Sequence, residues 1–271
     1  MTLKLIAYAR NGHTDKFGIP RQSREESPIL TRIVFEPEYR VAEALRGIEG
    51  YSHLWLIWGF SEQPTPNNVL RTATGSPIGQ SPSPVNGGEL SWSPTVRPPR
   101  LGGNKRMGVF ATRSPFRPNP IGLSSVRLVK AYPRPLPEGK GVSWELLVSG
   151  ADVLDGTPIY DIKPYLSFSD SHPEAKNGFA DETRDYHLEV VWEHEDSTSI
   201  GENHEQSLGL SQHDKDAITY ILAQDPRPGY QDDPKREYKM DYAGWTVTFV
   251  VQPQEGDLKH ARVVIRKIEK I

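Results

Sequence analysis

Three prolines within six residues, Pro115, Pro118 and Pro120, are the feature that most constrains how this chain can fold. Proline fixes φ and lacks a backbone N–H, so residues 114–120 can form neither a helix nor an inner strand. We therefore predict a stiff loop between two strands, which loses little conformational freedom when it binds a ligand. The loop presents three polar side chains, Arg113, Arg117 and Asn119. The alternative is a tight turn that binds nothing.

The residues around this loop carry positive charge only. Residues 91–130 contain no acid and eight cations, which are Arg97, Arg100, Lys105, Arg106, Arg113, Arg117, Arg127 and Lys130. The whole chain has a formal net charge of −3, and residues 193–216 are rich in Asp, Glu and His, so the charge is distributed unevenly. A local cationic block favours a polyanionic partner over the alternative of an ordinary solvated surface.

Composition excludes several kinds of site. The 271 residues include no cysteine, which rules out disulfides, thiolate metal sites and cysteine nucleophiles. His194, His204 and His213 are irregularly spaced, without the close pairs of a zinc site, so we predict no bound metal. The N-terminus lacks the apolar core of a signal peptide, and no apolar run approaches the ~20 residues needed to cross a membrane. We expect a cytoplasmic protein.

Alternating and β-branched segments predict a mainly β chain. The expected strands are 3–9, 29–35, 51–60, 123–129, 142–148, 159–162, 187–192, 245–251 and 261–265. Segment 51–60 is apolar and without charge, which predicts a strand buried on both faces at the centre of the sheet. One helix is expected from Pro37 and another after Ser211. Their apolar stripes are Val41, Ala44, Leu45 and Ile48 in the first, and Ala217, Ile218, Ile221 and Leu222 in the second.

This ratio of strands to helices does not fit a doubly wound fold, and the chain has no Gly-x-Gly-x-x-Gly. We predict an antiparallel β-barrel at residues 1–168, with a surface insertion at 62–94 that is rich in Pro, Ser, Gly and Asn. A polar linker at 169–183 leads to a smaller α+β domain at 184–271.

Several motifs in this order resemble the TrmO family, also called TsaA-like or YaeB-like. They are Pro-Arg-Gln at 20–22, Gly-Tyr-Ser-His-Leu-Trp at 50–55, Arg-Pro-Pro-Arg-Leu-Gly-Gly-Asn at 97–104, Gly-Val-Phe-Ala-Thr-Arg-Ser-Pro-Phe-Arg-Pro-Asn-Pro-Ile-Gly at 108–122, Asp-Gly-Thr-Pro at 155–158, Asp-Ile-Lys-Pro-Tyr at 161–165 and Asp-Pro-Arg-Pro-Gly-Tyr at 225–230. The resemblance covers nearly the whole chain. The departures are the enlarged insertion at 62–94 and the acidic stretch at 193–216.

The resemblance implies a single-sheet β-barrel methyltransferase without a Rossmann core, working as a homodimer. The family transfers a methyl group from S-adenosylmethionine to the exocyclic N6 of threonylcarbamoyl-adenosine, the base immediately 3′ of a tRNA anticodon. The cofactor-binding residues carried over are Pro20, Arg21, Gln22, Ser61, Glu62, Arg113, Leu123, Gly156, Thr157, Pro158, Ile159, Asp161, Ile162, Lys163 and Pro164. Arg113 would face the carboxylate of the cofactor or a tRNA phosphate. The C-terminal domain would help to grip the tRNA, and the expected RNA contacts are Lys105, Arg106, Arg117, Asn119, Arg227 and Tyr230.

Methylation of this nitrogen removes a proton, and the attached carbamoyl group makes that proton easier to lose. Positioning alone can then supply most of the rate. Asp155 and Asp161 are the candidate catalytic bases, although an Asp before Gly is more often a turn residue. Two other functions stay open at this point. One is a non-catalytic RNA-binding protein with the same basic loop, and the other is a small-molecule enzyme that uses Asp155 and Asp161 as a carboxylate pair.

Overall fold

The structure, a computed structural model, describes residues 3–60, 92–98, 105–136, 142–183, 187–193, 210–227, 233–254 and 257–271. These residues form a closed barrel and a separate four-stranded sheet, which confirms the predicted mainly β fold. The predicted insertion at 62–94 lies outside the described residues, apart from its last three. Within the described residues, no helix is long and apolar enough to cross a membrane.

The barrel contains six antiparallel strands, arranged in the order β1-β2-β7-β6-β3-β8. The strands are β1 (Ala7–Arg10), β2 (Leu30–Phe35), β3 (His53–Gly59), β6 (Ile121–Pro135), β7 (Val142–Ser149) and β8 (Pro158–Pro164). Two short strands, β4 (Thr95–Val96) and β5 (Met107–Gly108), pair with each other just before the proline-rich loop. That loop therefore connects this small ladder to barrel strand β6.

Period-two alternation fills the barrel with apolar side chains. Leu54, Leu56 and Trp58 of β3 point inward, and β2 and β7 do the same with their own alternate residues. The prediction that β3 is buried on both faces was wrong, because His53, Trp55 and Ile57 are only half-buried on its outer face. A closed barrel has one enclosed face, so even its most apolar strand keeps the other face outside.

The helix predicted from Pro37 was also wrong. The segment instead forms three short 3-10 helices, Pro37–Tyr39, Ala42–Leu45 and Ile48–Gly50. Gly47 has a φ of 86°, in the left-handed region, so it interrupts any continuous right-handed helix here. The apolar spacing came from residues such as Leu45 and Ile48, which pack on the barrel core from separate turns.

The second domain is a sheet with the order β10-β11-β12-β9 and one helix. Its elements are β9 (Glu189–Trp192), α2 (Gln212–Ala223), β10 (Tyr238–Tyr242), β11 (Trp245–Gln254) and β12 (Asp257–Lys270). The predicted cap is confirmed, because the Ser211 side chain accepts a hydrogen bond from the backbone N–H of Asp214 (3.1 Å). The predicted apolar stripe of this helix is buried in the domain core.

The connection between the domains is more ordered than a polar linker suggests. It contains helix α1 (Ser167–Asp170) and a 3-10 helix at Gly178–Thr183. Asp170 accepts hydrogen bonds from Nε1 of Trp55 (2.8 Å) and from the backbone N–H of Leu166 (3.0 Å), which ties the start of the connection to the outside of the barrel.

A segment of the first domain, residues 12–29, packs into the core of the second. The Phe17 ring lies parallel to that of Tyr238, with centroids 6.4 Å apart, and Ile29 is fully buried in the C-terminal core. Gly18 is needed for this contact, since a Cβ there would come within 2.4 Å of the Met240 sulfur. The C-terminal sheet therefore fixes the stretch that contains Pro20, Arg21 and Gln22.

Candidate functional site at the proline-rich loop

The proline-rich loop is held by hydrogen bonds within itself and to its neighbours. Backbone N–H groups of Arg117 and Ile121 donate to the carbonyls of Pro115 and Asn119, each at 2.8 Å. The Arg117 guanidinium donates to the Thr112 carbonyl (3.2 Å). Residues 109–111 form a 3-10 helix (Val109–Ala111) at the start of the loop. These hydrogen bonds and the fixed φ angles of its prolines restrain the loop backbone.

Arg113 joins this loop to the Pro-Arg-Gln stretch. Its Nη1 donates a hydrogen bond to Oε1 of Gln22 at 2.5 Å, across 91 residues of sequence. Both side chains are exposed, whereas Pro20, two residues before Gln22, is buried. Two motifs that sequence reasoning placed in one cofactor site are therefore in direct contact.

Asp152 is half-buried and adds an enclosed carboxyl group to this site. Its carboxylate accepts hydrogen bonds from the Ser124 hydroxyl and the backbone N–H of Ser23. Nε1 of Trp58 donates in turn to Ser124 Oγ (2.9 Å). Burial raises the pKa of the Asp152 carboxyl, against the opposing effects of these hydrogen bonds and the nearby Arg113 guanidinium. We call Gln22, Ser23, Arg113, Ser124 and Asp152 the Arg113 cluster.

Sequence reasoning missed Asp152, Ser23 and Ser124. The signal for Ser124 was its register in β6, where Gly122, Ser124 and Val126 alternate inward while Leu123 points outward. A hydroxyl at an inward barrel position needs a polar partner. Asp152 was visible only as one of three aspartates at residues 152–161, and nothing local distinguishes it from the others.

The C-terminal domain holds the other end of the Pro-Arg-Gln stretch. Nη2 of Arg21 donates to the backbone carbonyl of Arg227 (3.2 Å). We expected Arg227 to contact phosphate, but its side chain is 7% exposed and makes a bidentate pair with Asp225 (2.7 and 2.8 Å). Arg227 therefore helps to set the position of Arg21 from inside the fold.

Another group of predicted residues lies on the outer face of the barrel. Leu123 and Asp161 flank Ile57 on either side in register, so the three side chains share one face. Leu123 is half exposed, and Asp161 pairs with the neighbouring Lys163 (3.2 Å). Ile162 packs against the barrel core, and Pro164 ends strand β8. Ser124 and Leu123 are adjacent in sequence but face opposite sides of the strand, which separates this group from the Arg113 cluster within one chain.

Asp155 and the residues after it form a turn against strand β1. The Asp155 carboxylate accepts from the Asn11 backbone N–H (3.0 Å) and from Arg10 (3.3 Å). Gly156 and Thr157 exchange backbone hydrogen bonds with Ala9. The side chains of Thr157 and Ile159 are buried, and Pro158 is paired with Tyr8.

A surface cavity of about 390 Å³ lies beside Asp155. It is lined by Arg10, Asn11, Leu30, Arg32, Leu147 and Asp155, and it includes no member of the Arg113 cluster. The carboxylates of Asp155 and Asp161 bind different partners, so this geometry does not favour a shared carboxylate pair.

Four of the six predicted RNA contacts lie in the basic block at residues 91–130. Lys105, Arg106 and Asn119 are exposed, and Arg117 is half-buried. Arg106 Nε donates to the Thr95 hydroxyl at 3.0 Å, which fixes it on the β4–β5 ladder. Ser61, Glu62 and Tyr230 lie outside the described residues, as do His194 and His204.

Comparison with known proteins shows the family of this chain. The family model for the tRNA-methyltransferase O N-terminal domain matches residues 8–171, and the model for the TrmO C-terminal domain matches residues 185–270. A tRNA (adenine(37)-N6)-methyltransferase of Escherichia coli K12 is 36% identical over 250 residues, which cover 91% of this chain and 90% of the relative. One with the same description from Eikenella corrodens is 48% identical over 161 residues, covering 59% of this chain and 82% of the relative.

A solved structure shows the same architecture. The crystal structure of TrmO from Pseudomonas aeruginosa superposes with a TM-score of 0.65 at 27% identity, covering 99% of this chain and 98% of that one. With both domains matched in order, the chain belongs to the tRNA-methyltransferase O family.

Proposed function

We propose that this protein methylates N6 of adenosine 37 in tRNA, on the threonylcarbamoyl-modified base, and takes the methyl group from S-adenosylmethionine. Relatives from two bacteria carry the description tRNA (adenine(37)-N6)-methyltransferase, and a third from Pseudomonas aeruginosa is described as a putative S-adenosylmethionine-dependent methyltransferase. The observation that carries the proposal is the Arg113 cluster, where an exposed guanidinium, a glutamine and an enclosed carboxylate converge from three segments.

The donor set of this cluster fits the amino-acid end of the cofactor. The Arg113 fork suits a carboxylate, while Gln22 and the Asp152 carboxyl offer acceptors beside it. When bound, S-adenosylmethionine supplies a methyl group on a positively charged sulfur. Arg113 and Gln22 would hold its carboxylate end, and the buried Pro20 restricts the backbone two residues before Gln22.

The chain's task at the substrate is to position the nitrogen. The nitrogen gains a methyl group and loses a proton, and the carbamoyl group already weakens that N–H bond. Correct placement of the two reactants raises their effective molarity and lowers much of the activation barrier. The proposal therefore requires no strong base. Of the two candidate bases, Asp161 is the more available, with its side chain 48% exposed, whereas Asp155 is held by Arg10 and Asn11.

We also propose a homodimer. Ile121 and Leu123 on the outer face of β6 are 40% and 50% exposed, and an apolar pair of this kind is suited to contact with a second copy. Such a contact would bring Leu123 and Asp161 of one copy to the other. Light scattering on the purified chain should give twice the monomer mass, and a monomer mass would remove this part of the proposal.

The activity is tested by incubating the protein with labelled S-adenosylmethionine and tRNA that carries threonylcarbamoyl-adenosine. We expect label in nucleosides of that tRNA and none in tRNA that lacks the modification. Mass spectrometry of tRNA nucleosides from cells with and without the protein gives the same answer in vivo. Thermal stabilisation by the cofactor without any transfer would favour a small-molecule enzyme, and RNA binding without stabilisation would favour a binding protein.

A further inference from the structure

Phe110 is an apolar side chain that the fold holds out of the core. It is 72% exposed, although its neighbour Val109 in the same 3-10 helix is buried. A single exposed phenylalanine is common on protein surfaces, so the surroundings of Phe110 decide whether it marks a ligand site.

The Phe110 ring does not project alone. It stacks on the ring of Trp92, with centroids 5.8 Å apart and an angle of 29° between the planes. Trp92 is half-buried and Phe110 is exposed, so Trp92 supports one face of the phenylalanine ring while most of Phe110 stays accessible. We call this stacked pair the Phe110 platform.

The backbone below the platform is fixed on both sides. The Val109 N–H donates to the Pro94 carbonyl (3.0 Å), and the Thr112 backbone and hydroxyl both donate to the Val109 carbonyl (3.1 and 2.8 Å). The β4–β5 ladder lies directly before it. Phe110 is therefore preorganised, so little conformational entropy is lost when a ligand stacks on it.

The charge around the platform selects the kind of ligand. Lys105, Arg106 and Arg113 are exposed on either side of Phe110 in sequence, and residues 91–130 contain no acid. A two-fold contact centred on Phe110 would place Lys105, Arg106 and Arg113 against the same residues of a second copy, which like charges oppose. Unpaired nucleobases stack on aromatic side chains while cations bind the neighbouring phosphates.

We propose that the Phe110 platform stacks an unpaired base of the tRNA anticodon loop while the methyl group is transferred to its neighbour. This inference rests on the proposed function and adds to it a base-stacking contact. Stacking would keep the loop open and hold the strand in place, and the neighbouring phosphates would meet Lys105 and Arg106.

The test compares Phe110→Ala with Phe110→Trp and with Phe168→Ala, which removes another exposed phenylalanine (88%) far along the chain on α1. Binding is followed by fluorescence anisotropy of a fluorescein-labelled anticodon stem-loop that carries threonylcarbamoyl-adenosine. Calorimetry measures S-adenosylmethionine affinity, and sedimentation measures the oligomeric state of each variant.

Phe110→Ala should weaken stem-loop binding about ten-fold or more, as expected for the loss of one stacked base. Cofactor affinity should not change, and Phe110→Trp and Phe168→Ala should bind RNA like wild type. Wild-type RNA affinity in Phe110→Ala overturns the inference, and so does a change in oligomeric state without a change in RNA affinity. Wild-type protein that fails to methylate tRNA overturns the proposed function instead, which separates the two failures.

Discussion

Asp152 and Asp155 lie three residues apart on the connection between β7 and β8, yet their surroundings differ. The Asp152 carboxyl is enclosed, bonded to Ser124 and Ser23, and its pKa is raised by burial. The Asp155 side chain is 31% exposed and bonded to Arg10 and Asn11 at the rim of an open cavity. Only Asp152 reaches the segments that carry Gln22 and Arg113.

The difference shows that the Asp152 carboxylate, unlike that of Asp155, lowers the stability of the fold. An enclosed carboxylate loses hydration that hydrogen bonds only partly replace, whereas an exposed ion pair contributes little in either direction. Asp155 fits a turn residue that fastens β8 to β1. Asp152 fits a positioning residue that holds the Ser23 backbone and orients Arg113 in the Arg113 cluster.

The largest effect should come from removing the Arg113 head group. Arg113→Ala should weaken S-adenosylmethionine binding about 30- to 100-fold, because a charge-assisted hydrogen bond to the cofactor carboxylate is lost. Titration calorimetry measures the affinity. Arg113→Lys serves as the control, since it keeps the charge but loses the fork and should recover only part of the binding. Unchanged affinity in Arg113→Ala would place the cofactor elsewhere.

His13 lies close to Asp155, but its ring is buried, so it should make the stability of the protein depend on pH. Its carbonyl accepts the Asp155 N–H, but its ring is buried against Tyr242, and burial lowers the pKa of His13 from 6.5 to about 4. The unfolded chain therefore binds a proton that the folded chain does not, and stability is lost as pH falls from 6.5 toward 4. We expect a loss of about 2 kcal/mol between pH 7 and 5 from this group.

Denaturant unfolding at several pH values measures that slope. His13→Phe removes the titrating group while keeping a ring against Tyr242, so its stability should vary less with pH than that of wild type. Equal slopes in the two proteins would show that folding does not lower the pKa of His13.

Asp152→Asn should have a smaller effect on binding and a distinctive effect on stability. We expect about ten-fold weaker cofactor binding, because the amide cannot accept both hydrogen bonds and no longer attracts Arg113. Burial raises the pKa of Asp152, so wild-type stability falls as pH rises through that pKa. The variant lacks this loss and should be at least as stable at neutral pH, as chemical denaturation can show.

The matched change at the exposed carboxylate, Asp155→Asn, should alter binding least. An amide still accepts the Asn11 N–H, and an exposed ion pair contributes less than about 1 kcal/mol. Single-turnover methylation at saturating cofactor should stay near wild type. A large loss of rate in Asp155→Asn with normal rates in Asp152→Asn would reverse the assignment of the two residues.

Local patterns predicted the parts of this molecule that local forces determine. Strand alternation identified β2, β7 and β11, and the spacing of Ser211 and Asp214 identified the start of α2, because side-chain facing and capping act within a few residues. The stiff proline-rich loop follows from fixed φ angles. The helix from Pro37 failed because Val41 has an extended backbone (φ −106°, ψ 116°), which the spacing of apolar residues does not reveal.

The Arg113 cluster needed contacts that no window of sequence contains. Arg113 meets Gln22 across 91 residues, and Ser124 meets Asp152 across 28. The resemblance to a family grouped Gln22 with Arg113, but it did not single out Asp152 or show that Arg227 is buried. Those two facts depend on how the barrel closes and on how the second domain packs against it.

Hydrogen–deuterium exchange with and without S-adenosylmethionine tests most directly whether the Arg113 cluster holds the cofactor. We predict slower exchange at the backbone N–H of Ser23 and across residues 112–117 when the cofactor is added, since a bound ligand would hold Gln22 and Arg113 in place. Unchanged exchange at both stretches under saturating cofactor would contradict the assignment of this end of the barrel as the methyl-donor site.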